Sequence, residues 1–427
     1  MMKRMTKREK RIGLTTKIFV GLLTGLLVGV LFNLCVPNGY VRDVVFVDGL
    51  FYVLGQGFIR LMKLLVVPLV FFSIACGASA VGEPSSLGKI GGKTLAFYLA
   101  TTAIAVSVAL SVGSLIGPGI GLDMTTLETQ ELVETAAPSV KETALNIVPE
   151  NPVAAFAGGV MLQVIFFALI VGILIAKMGE RASAIATFNA QCNDLMMEMT
   201  SLVMRFAPIG VFCLIARTFA NLGFDAFAPL LKYMLAVCLA LFIQCFIVYQ
   251  AMLLGFARLN PIRFLDKFFP VMAFAFSTST SNATIPMNIE YLEKKIGVSR
   301  KFASFAIPLG ATINMDGTSI MQGVAVMFAA QAYGIHLELS QFLTVIATAT
   351  LASVGTAGIP SVGLVTLSMV FIAVGLPVEA IGLIIGVDRI LDMLRTAVNI
   401  TGDAVCATIV AKHNGDFDPD VFRDRNA

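Results

Sequence analysis

Charged residues are scarce in this sequence. They make up 13% of the 427 residues, about half the share of roughly 25% that is usual in soluble domains, and the mean hydropathy is +0.87. A water-soluble fold has no interior large enough for that much apolar surface. The net charge is only +3, so neither a nucleic-acid-binding surface nor a strongly acidic partner is indicated.

Paired cysteines and catalytic histidines are missing as well. The seven cysteines stand singly in apolar stretches, without the spacing of a zinc site or a disulfide framework, and we interpret them as small core residues. An intramembrane protease would need paired aspartates or a serine with a histidine base. His336 and His413 are the only histidines and lie at predicted membrane edges, while Asp316 and Asp403 are better explained as cation ligands. We therefore predict that the protein is not an enzyme.

Long apolar runs make up most of the chain. A helix needs about 20 apolar residues to cross the hydrocarbon core of a bilayer. Eight runs reach this length and predict membrane spans at 15–37, 44–79, 87–117, 151–178, 193–222, 228–257, 300–332 and 376–411. The basic start from Lys3 to Arg11 is also typical of a signal peptide. The following apolar run lacks a small-residue cleavage site, which favours a retained first helix.

Two further apolar segments are interrupted too soon to span. Their interruptions, 277–286 and 353–363, are rich in small polar residues and contain a proline, which predicts two re-entrant hairpins. Irregular backbone at membrane depth is tolerated only in a protein interior or a wet cavity, so both tips should meet at one site. Lys and Arg bracket the first hairpin, whereas the second is flanked by Glu338 and Glu379. The first hairpin should therefore enter from the cytoplasm and the second from outside, with both termini cytoplasmic.

The order hairpin, helix, hairpin, helix, with opposite entry faces, is the pattern of an inverted repeat around a midplane site. The predicted fold class is an all-α integral membrane protein with eight transmembrane helices and two re-entrant helical hairpins. We divide the chain into a basic cytoplasmic N-terminus (1–14), a region that is mainly scaffold (15–257), a core region that carries the chemistry (258–415) and a cytoplasmic tail (416–427).

The last predicted helix carries a charged stripe. Six polar side chains fall within a sector of about 100° on a regular helix: Asp388, Asp392, Arg395, Thr396, Asn399 and Asp403. Three carboxylates against one guanidinium leave an excess of two negative charges, which bound cations would neutralise. The Arg395 guanidinium suits a carboxylate and Asp392 suits an ammonium, which together indicate an acidic amino acid. A salt-bridge network that only fastens helices together is the alternative.

The seventh predicted span contains a polar interruption. Asn314 and Asp316 are two positions apart and would lie on nearly opposite faces of a regular helix. For both to meet one site the helix must unwind, which Gly310 and Gly317 make easier. Unwound carbonyls with a carboxylate and an amide suit a sodium ion, whereas the alternative is a glycine-permitted kink with an incidental polar patch. The third span carries neighbouring hydroxyls whose ordinary explanation is helix packing: Tyr98, Thr101 and Thr102.

Three runs resemble those of the dicarboxylate/amino acid:cation symporters, the glutamate and aspartate transporter family: 314–318 (NMDGT), 355–360 (GTAGIP) and 388–403. The resemblance covers essentially the whole chain. It implies a glutamate-transporter-like elevator fold in the inner membrane and a homotrimer of independent protomers. In each protomer a transport domain, accompanied by the third and sixth helices, moves against a scaffold. Sodium ions are the implied co-transported ions, an acidic amino acid the implied substrate, and the second hairpin the implied gate.

The resemblance also implies roles for individual residues. By position, the substrate contacts would be Ser281, Thr318, Ile359, Gly363, Asp392, Arg395, Thr396 and Asn399. One sodium site would use Gly310, Asn314, Asn399 and Asp403. A second would use Thr312, Met315, Ser353, Val354 and Thr356, and a third Tyr98, Thr101, Thr102, Asn314 and Asp316.

The chain departs from its relatives at several positions. Archaeal members carry an Arg where this chain has Ser279, and animal members carry one where it has Met393, so potassium counter-transport is not carried over; Asn282 and Leu394 differ too.

Three alternatives stay open: a C4-dicarboxylate carrier, which Asp392 disfavours, proton in place of sodium coupling, and an ion channel. Aspartate and glutamate are not separated, because one methylene in a pocket is worth only about 1–3 kcal/mol.

Overall fold

The computed structural model describes residues 14–81, 88–122, 124, 145, 148–223, 227–354 and 362–424. Within these ranges the chain is helical, and its one β-bridge pairs Val298 with Phe417. The helices of the first part are α1 (Leu14–Cys35), α2 (Tyr52–Val81), α3 (Gly88–Ile116), α4 (Pro152–Gly158), α5 (Met161–Met178), α6 (Ser183–Met204), α7 (Ala207–Leu222), α8 (Phe227–Ile243) and α9 (Tyr249–Ala257).

The second part begins with two helices that pack against each other. Its helices are α10 (Pro261–Thr278), α11 (Ser281–Tyr291), α12 (Arg300–Ile313), α13 (Asp316–Ala332), α14 (Leu339–Ser353), α15 (Val362–Ala373), α16 (Ile381–Asn414) and α17 (Pro419–Arg423). A π-helical segment precedes α2 (Val41–Phe51), and another, Gln244–Val248, joins α8 to α9.

Several helical stretches have the length and apolar composition of membrane spans. Among the described residues, five are long and apolar enough to cross a membrane: Thr16–Cys35, Val41–Cys76, Gly91–Ile116, Gln163–Met204 and Phe227–Ala257. The all-helical class is therefore supported, while the count of eight spans stays a prediction. Three predicted spans are divided: 151–178 crosses the junction of α4 and α5, 193–222 that of α6 and α7, and 300–332 that of α12 and α13.

Helix starts in the second part follow local sequence signals. Asn260 accepts a backbone hydrogen bond ahead of Pro261 at the start of α10, and Ser299 caps α12 in the same way. Glu338 and Gln341 form a reciprocal capping box at the start of α14. These side chains satisfy amide groups that a helix leaves unpaired at its first turn, so the sequence sets these boundaries locally.

The two predicted hairpins correspond to helix pairs that pack side by side. α10 and α11 are joined by Ser279 and Thr280, and Ser279 adopts a left-handed backbone conformation (φ 51°) that is uncommon outside glycine. The first tip is thus tighter than 277–286, because Pro286 lies inside α11. α14 packs on α15, and residues 355–361 between them lie outside the described residues. Re-entry into a membrane stays a prediction.

The helices pack in two groups. α1 packs against α7, and α2 packs against α5 and α6. In contrast, α3 packs against α13 and α14, while α8 contacts α3, α13 and α16. The third and sixth predicted spans therefore lie against the second half of the chain. That the groups move relative to each other, and the domain boundaries at 15–257 and 258–415, remain predictions.

The last residues, expected only as a tail, pack against the base of the first hairpin. α16 ends at Asn414, and Gly415 after it adopts a left-handed backbone conformation (φ 81°), from which the chain turns back and forms α17. Lys267 of α10 donates hydrogen bonds to the carbonyls of Lys295 (2.8 Å) and Val421 (2.9 Å). Phe422 is 3% exposed. We refer to residues 415–424 as the C-terminal clasp.

Candidate functional site

The site is centred on a break between α12 and α13. Asn314 has an extended backbone (φ −103°, ψ 91°), and a new helix begins at Asp316, so the predicted unwinding is confirmed. A Cβ on Gly317 would lie 2.5 Å from the carbonyl oxygen of Arg395 and 2.8 Å from its Cα. Because backbone atoms cannot move aside, only glycine lets the break contact α16 this closely.

Hydroxyls from α3 meet the polar side chains of the break. Thr102 Oγ1 donates to Asp316 Oδ1 at 2.6 Å, and Thr101 Oγ1 lies 3.3 Å from Asn314 Oδ1. The Tyr98 hydroxyl donates to a backbone carbonyl of α12 at 3.0 Å. All five side chains are fully buried. The structure thus brings together the residues that the resemblance placed in the third sodium site.

Two hydrogen-bond partners of Asp316 were not predicted from the sequence. Its Oδ2 accepts hydrogen bonds from the Tyr249 hydroxyl (2.7 Å) and the Gln244 amide (3.4 Å). Residues five apart project about 140° apart on an α-helix, but the π-helical segment Gln244–Val248 brings them to one side. The polar character of Gln244 and Tyr249 in a largely apolar span was the available signal, and such π-bulges often occur at functional sites.

A second buried carboxylate lies beside the break. Asp403 of α16 accepts a 2.9 Å hydrogen bond from the Asn314 amide on Oδ1, and its Oδ2 has no hydrogen-bond partner within the described residues. A Cβ on Gly310 would lie 2.5 Å from Asp403 Oδ1, so the carboxylate rests on the backbone of α12. Neither Asp403 nor Asp316 forms an ion pair with any Lys, Arg or His that the structure describes. Both carboxylates thus lie where a cation would be stabilised.

The residues of the second implied sodium site are partly assembled. Ser353 at the end of α14 donates a 2.9 Å hydrogen bond to the Ile313 carbonyl at the end of α12. The side chains of Met315 and Val354 are buried, whereas Thr312 is exposed. Thr356, the fifth member, lies outside the described residues.

Charged side chains of α16 form an ion-pair network in the interior. Arg395, 1% exposed, places Nη2 2.7 Å from Asp392 Oδ1 and 2.9 Å from Asp388 Oδ1. Arg389, which the predicted stripe did not include, contacts Asp392 Oδ2 at 3.0 Å through Nη1. Counting Asp316 with the three aspartates of α16, four carboxylates face two guanidiniums, which leaves two negative charges in excess.

Other implied substrate residues surround Arg395. A Cβ on Gly363 would lie 2.7 Å from Thr318 Cγ2 and 3.4 Å from Arg395 Nη1, so α15 begins against both side chains. Asn399 Oδ1 accepts a 2.7 Å hydrogen bond from a backbone amide of α13. Of the implied substrate residues that the structure describes, Asp392 alone is hydrogen-bonded to Arg395. The Thr396 hydroxyl bonds back to its own helix, and Ser281 is buried at the start of α11. Ile359 lies outside the described residues.

This arrangement offers two kinds of binding chemistry. Arg395 Nε and Nη1 are buried and have no hydrogen-bond partner within the described residues, so its fork retains donors for a carboxylate. Around Asp316 and Asp403 the neighbouring groups are hydroxyl, amide and carbonyl oxygens, the ligands that a sodium ion prefers. No group of three or more His, Cys, Asp or Glu in the described part of the chain is placed to hold a metal ion.

Comparison with known proteins places this architecture in a family. The profile of the sodium:dicarboxylate symporter family matches residues 14–413. The chain belongs to the sodium:dicarboxylate symporter family. The resemblance seen in the sequence is therefore confirmed. Because this is a family of transporters, this symporter is a multi-pass membrane transport protein and not an enzyme.

Relatives of the symporter differ in the substrate for which they are named. A proton/sodium-glutamate symport protein of Bacillus caldotenax is 34% identical over 96% of both chains. A proton/glutamate-aspartate symporter of Escherichia coli K12 is 36% identical over 85% of both. A C4-dicarboxylate transport protein of Bacillus subtilis is 33% identical over 86% of this chain and 88% of its own. Family membership thus leaves the substrate and the coupling ion to be argued from the site.

Proposed function

We propose that this symporter imports an acidic amino acid, L-aspartate or L-glutamate, together with sodium ions. The observation that carries the proposal is the pair of buried opposite charges on one face of α16, Arg395 and Asp392, 2.7 Å apart. Arg395 would bind the side-chain carboxylate of the substrate, and Asp392 would bind its ammonium group. Relatives named as glutamate and glutamate-aspartate symporters support this substrate class.

The remaining substrate contacts come from the elements around this pair. Gly363 and Thr318 pack against each other beside Arg395 and would bound the pocket. Asn399 and Thr396 would contribute polar contacts from α16. Ser281 and Ile359 would close the pocket from the two hairpin tips, and the second hairpin would act as the gate.

Sodium coupling is supported by two buried carboxylates, Asp316 and Asp403, that have no basic partner among the residues that the structure describes. Asp403 with Asn314, Asn399 and the backbone at Gly310 would hold one ion. Asp316 with Asn314 and the hydroxyls of α3 would hold another, because Thr102 already contacts Asp316 at 2.6 Å. Residues of the break and of the second hairpin would hold a third: Thr312, Met315, Ser353, Val354 and Thr356. Bound cations would compensate the excess of negative charge that burial makes costly.

We further propose that transport follows an elevator mechanism in a homotrimer of the inner membrane, with both termini in the cytoplasm. The transport domain would contain residues 258–415 together with α3 and α8, which pack on α13 and α16. The first and second hairpins would enter from opposite membrane faces, as the distribution of Lys and Arg favours. An ion channel is less consistent with a polar centre enclosed by packed helices.

A C4-dicarboxylate is the second candidate substrate. The ion pair between Arg389 and Asp392 neutralises the carboxylate that would otherwise repel a dianion, and C4-dicarboxylate transport proteins are among the relatives. Proton coupling is the second candidate for the driving ion, since several relatives are named for protons.

The test is uptake of radiolabelled L-aspartate, L-glutamate and succinate into proteoliposomes, with an inward sodium gradient or an inward proton gradient imposed separately. Accumulation of the amino acids driven by sodium, and its loss in Arg395→Ala, is the expected result. Accumulation by protons alone would overturn the coupling ion, and uptake of succinate only would overturn the substrate class. Downhill flux without accumulation would indicate a channel.

A further inference from the structure

Arg389 is bonded to the carboxylate that the proposed function assigns to the substrate ammonium. Its Nη1 lies 3.0 Å from Asp392 Oδ2, while Asp392 Oδ1 lies 2.7 Å from Arg395 Nη2. Each carboxylate oxygen of Asp392 thus faces a different guanidinium. An ammonium group that approaches Asp392 therefore competes with an arginine that is already in place.

The two arginines are held with unequal strength. Arg395 is paired with Asp388 as well as with Asp392 and has a side chain 1% exposed. Arg389 makes its one ion pair in the described structure with Asp392, and its side chain is 15% exposed. Its Nε has no hydrogen-bond partner in the described part of the chain. Arg389 is the guanidinium that leaves Asp392 more easily.

Arg389 lies at a gap in the packing beside the ion pair. Arg389 and Asp388 line a small cavity, whose lining also contains Phe58 of α2 and Val211 of α7. The cavity lies where α16 meets the first half of the chain. The cavity is about the size of one water molecule, so movement of the Arg389 guanidinium requires neighbouring side chains to shift with it.

We propose that Arg389 is a specificity-determining residue, acting as an exchangeable counter-ion of Asp392. With an acidic amino acid bound, the substrate ammonium takes the place of Arg389 at Asp392 Oδ2. With a dicarboxylate that lacks an ammonium, Arg389 stays and keeps Asp392 neutralised, so the dianion is tolerated. The inference rests on the proposed function, because it takes Asp392 as the ammonium site.

Aspartate and succinate are a matched pair of probes, since they differ only by the amino group. Without Arg389, succinate would face Asp392 without this counter-ion, whereas the ammonium of aspartate would bind without a competitor. We expect the ratio of dissociation constants, succinate over aspartate, to rise at least about tenfold in Arg389→Gln, the effect of one charge-assisted hydrogen bond. Arg389→Lys keeps a positive charge, and Arg389 contacts Asp392 through one nitrogen only, so a lysine can replace that contact. The ratio in this variant should stay within about threefold of that of the wild type.

The measurement is binding of radiolabelled L-aspartate to the purified full-length protein in saturating sodium, with competition by unlabelled aspartate or succinate. Arg300→Gln is the matched control, because it removes a guanidinium whose side chain is 70% exposed in a surface ion pair, and its ratio should not change. An unchanged ratio in Arg389→Gln with intact aspartate binding would overturn this inference alone. No aspartate binding by the wild type would overturn the proposed function and the inference together.

A double-mutant cycle separates this role from a structural one. Arg389→Gln combined with Asp392→Asn removes both charges of the pair, so the net charge is conserved. The double variant leaves no unpaired charge at this position, so the test does not depend on whether Arg389→Gln folds by itself. In the Asp392→Asn background, loss of Arg389 should not change the succinate-to-aspartate ratio. A change of the ratio in that background would show that Arg389 acts without Asp392 and would overturn the inference.

Discussion

The side-chain amide of Asn314 donates a 2.9 Å hydrogen bond to the carboxylate of Asp403. The two residues lie 89 positions apart in the chain, one at the break between α12 and α13 and the other in the buried face of α16. This contact brings the unwound backbone and the carboxylate to one place. Cation binding should therefore depend on the charge of Asp403.

Asp403→Asn should raise the sodium concentration needed for half-maximal aspartate uptake at least about tenfold, because removing a unit charge near a bound cation costs on the order of 1–4 kcal/mol. The measurement is uptake into proteoliposomes as a function of sodium concentration. Asp48→Asn is the control, since that carboxylate is 60% exposed and pairs with Arg217 at a distance from the break. Equal sodium dependence of the two variants would contradict a cation site at Asp403.

Thr102→Val should destabilise the protein and weaken sodium binding, because the hydroxyl that contacts Asp316 at 2.6 Å is lost. Leaving a buried carboxylate without this donor should cost about 1.5–3 kcal/mol. Thr408→Val is the matched control, because the Thr408 hydroxyl is equally buried and donates only to the Ala404 carbonyl of its own helix. The two variants are compared by thermal unfolding in detergent, with and without sodium. Similar losses of stability and of sodium stabilisation in both would refute the special role of Thr102.

Gly317→Ala should disrupt the contact between the break and α16. Its methyl group would lie 2.5 Å from the Arg395 carbonyl oxygen, and overpacking against backbone typically costs about 1–3 kcal/mol. Gly255→Ala meets nothing within 4 Å and should be neutral or stabilising by up to about 1 kcal/mol. Unfolding temperature and aspartate affinity are the measurements. Wild-type values for Gly317→Ala would mean that α13 and α16 do not approach this closely.

Phe422→Ala should release the C-terminal clasp from the first hairpin. Phe422 is 3% exposed, so truncating this side chain should weaken the packing of the clasp by about 3 kcal/mol. Arg423→Ala alters a side chain that is 73% exposed and should have little effect. The difference should appear in thermal unfolding and in faster proteolytic cleavage near Gly415. Equal protease resistance of the two variants would show that the clasp is not held by Phe422.

Much of the arrangement around the break could be predicted from the sequence, because helical periodicity is a local property. The stripe from Asp388 to Asp403 follows from spacing alone, and the break at Asn314 follows from two polar residues that a regular helix would separate. Caps such as Asn260 and Ser299 likewise set helix starts from neighbouring residues.

The partners of these residues were decided by the tertiary structure. The sequence marks Tyr249 and Gln244 only as polar residues of an apolar span, and both reach Asp316 because a π-helical segment changes the direction of their side chains. Each arginine that pairs with Asp392 lies three positions from it on α16, a spacing that the sequence contains, whereas the pairing of Asn314 with Asp403 depends on how α16 packs against the break. Composition and periodicity indicated an all-helical membrane protein with a charged interior. Long-range packing determined which side chains of other helices reach the buried carboxylates Asp316 and Asp403, because these hydrogen bonds depend on distances between helices that sequence spacing does not contain.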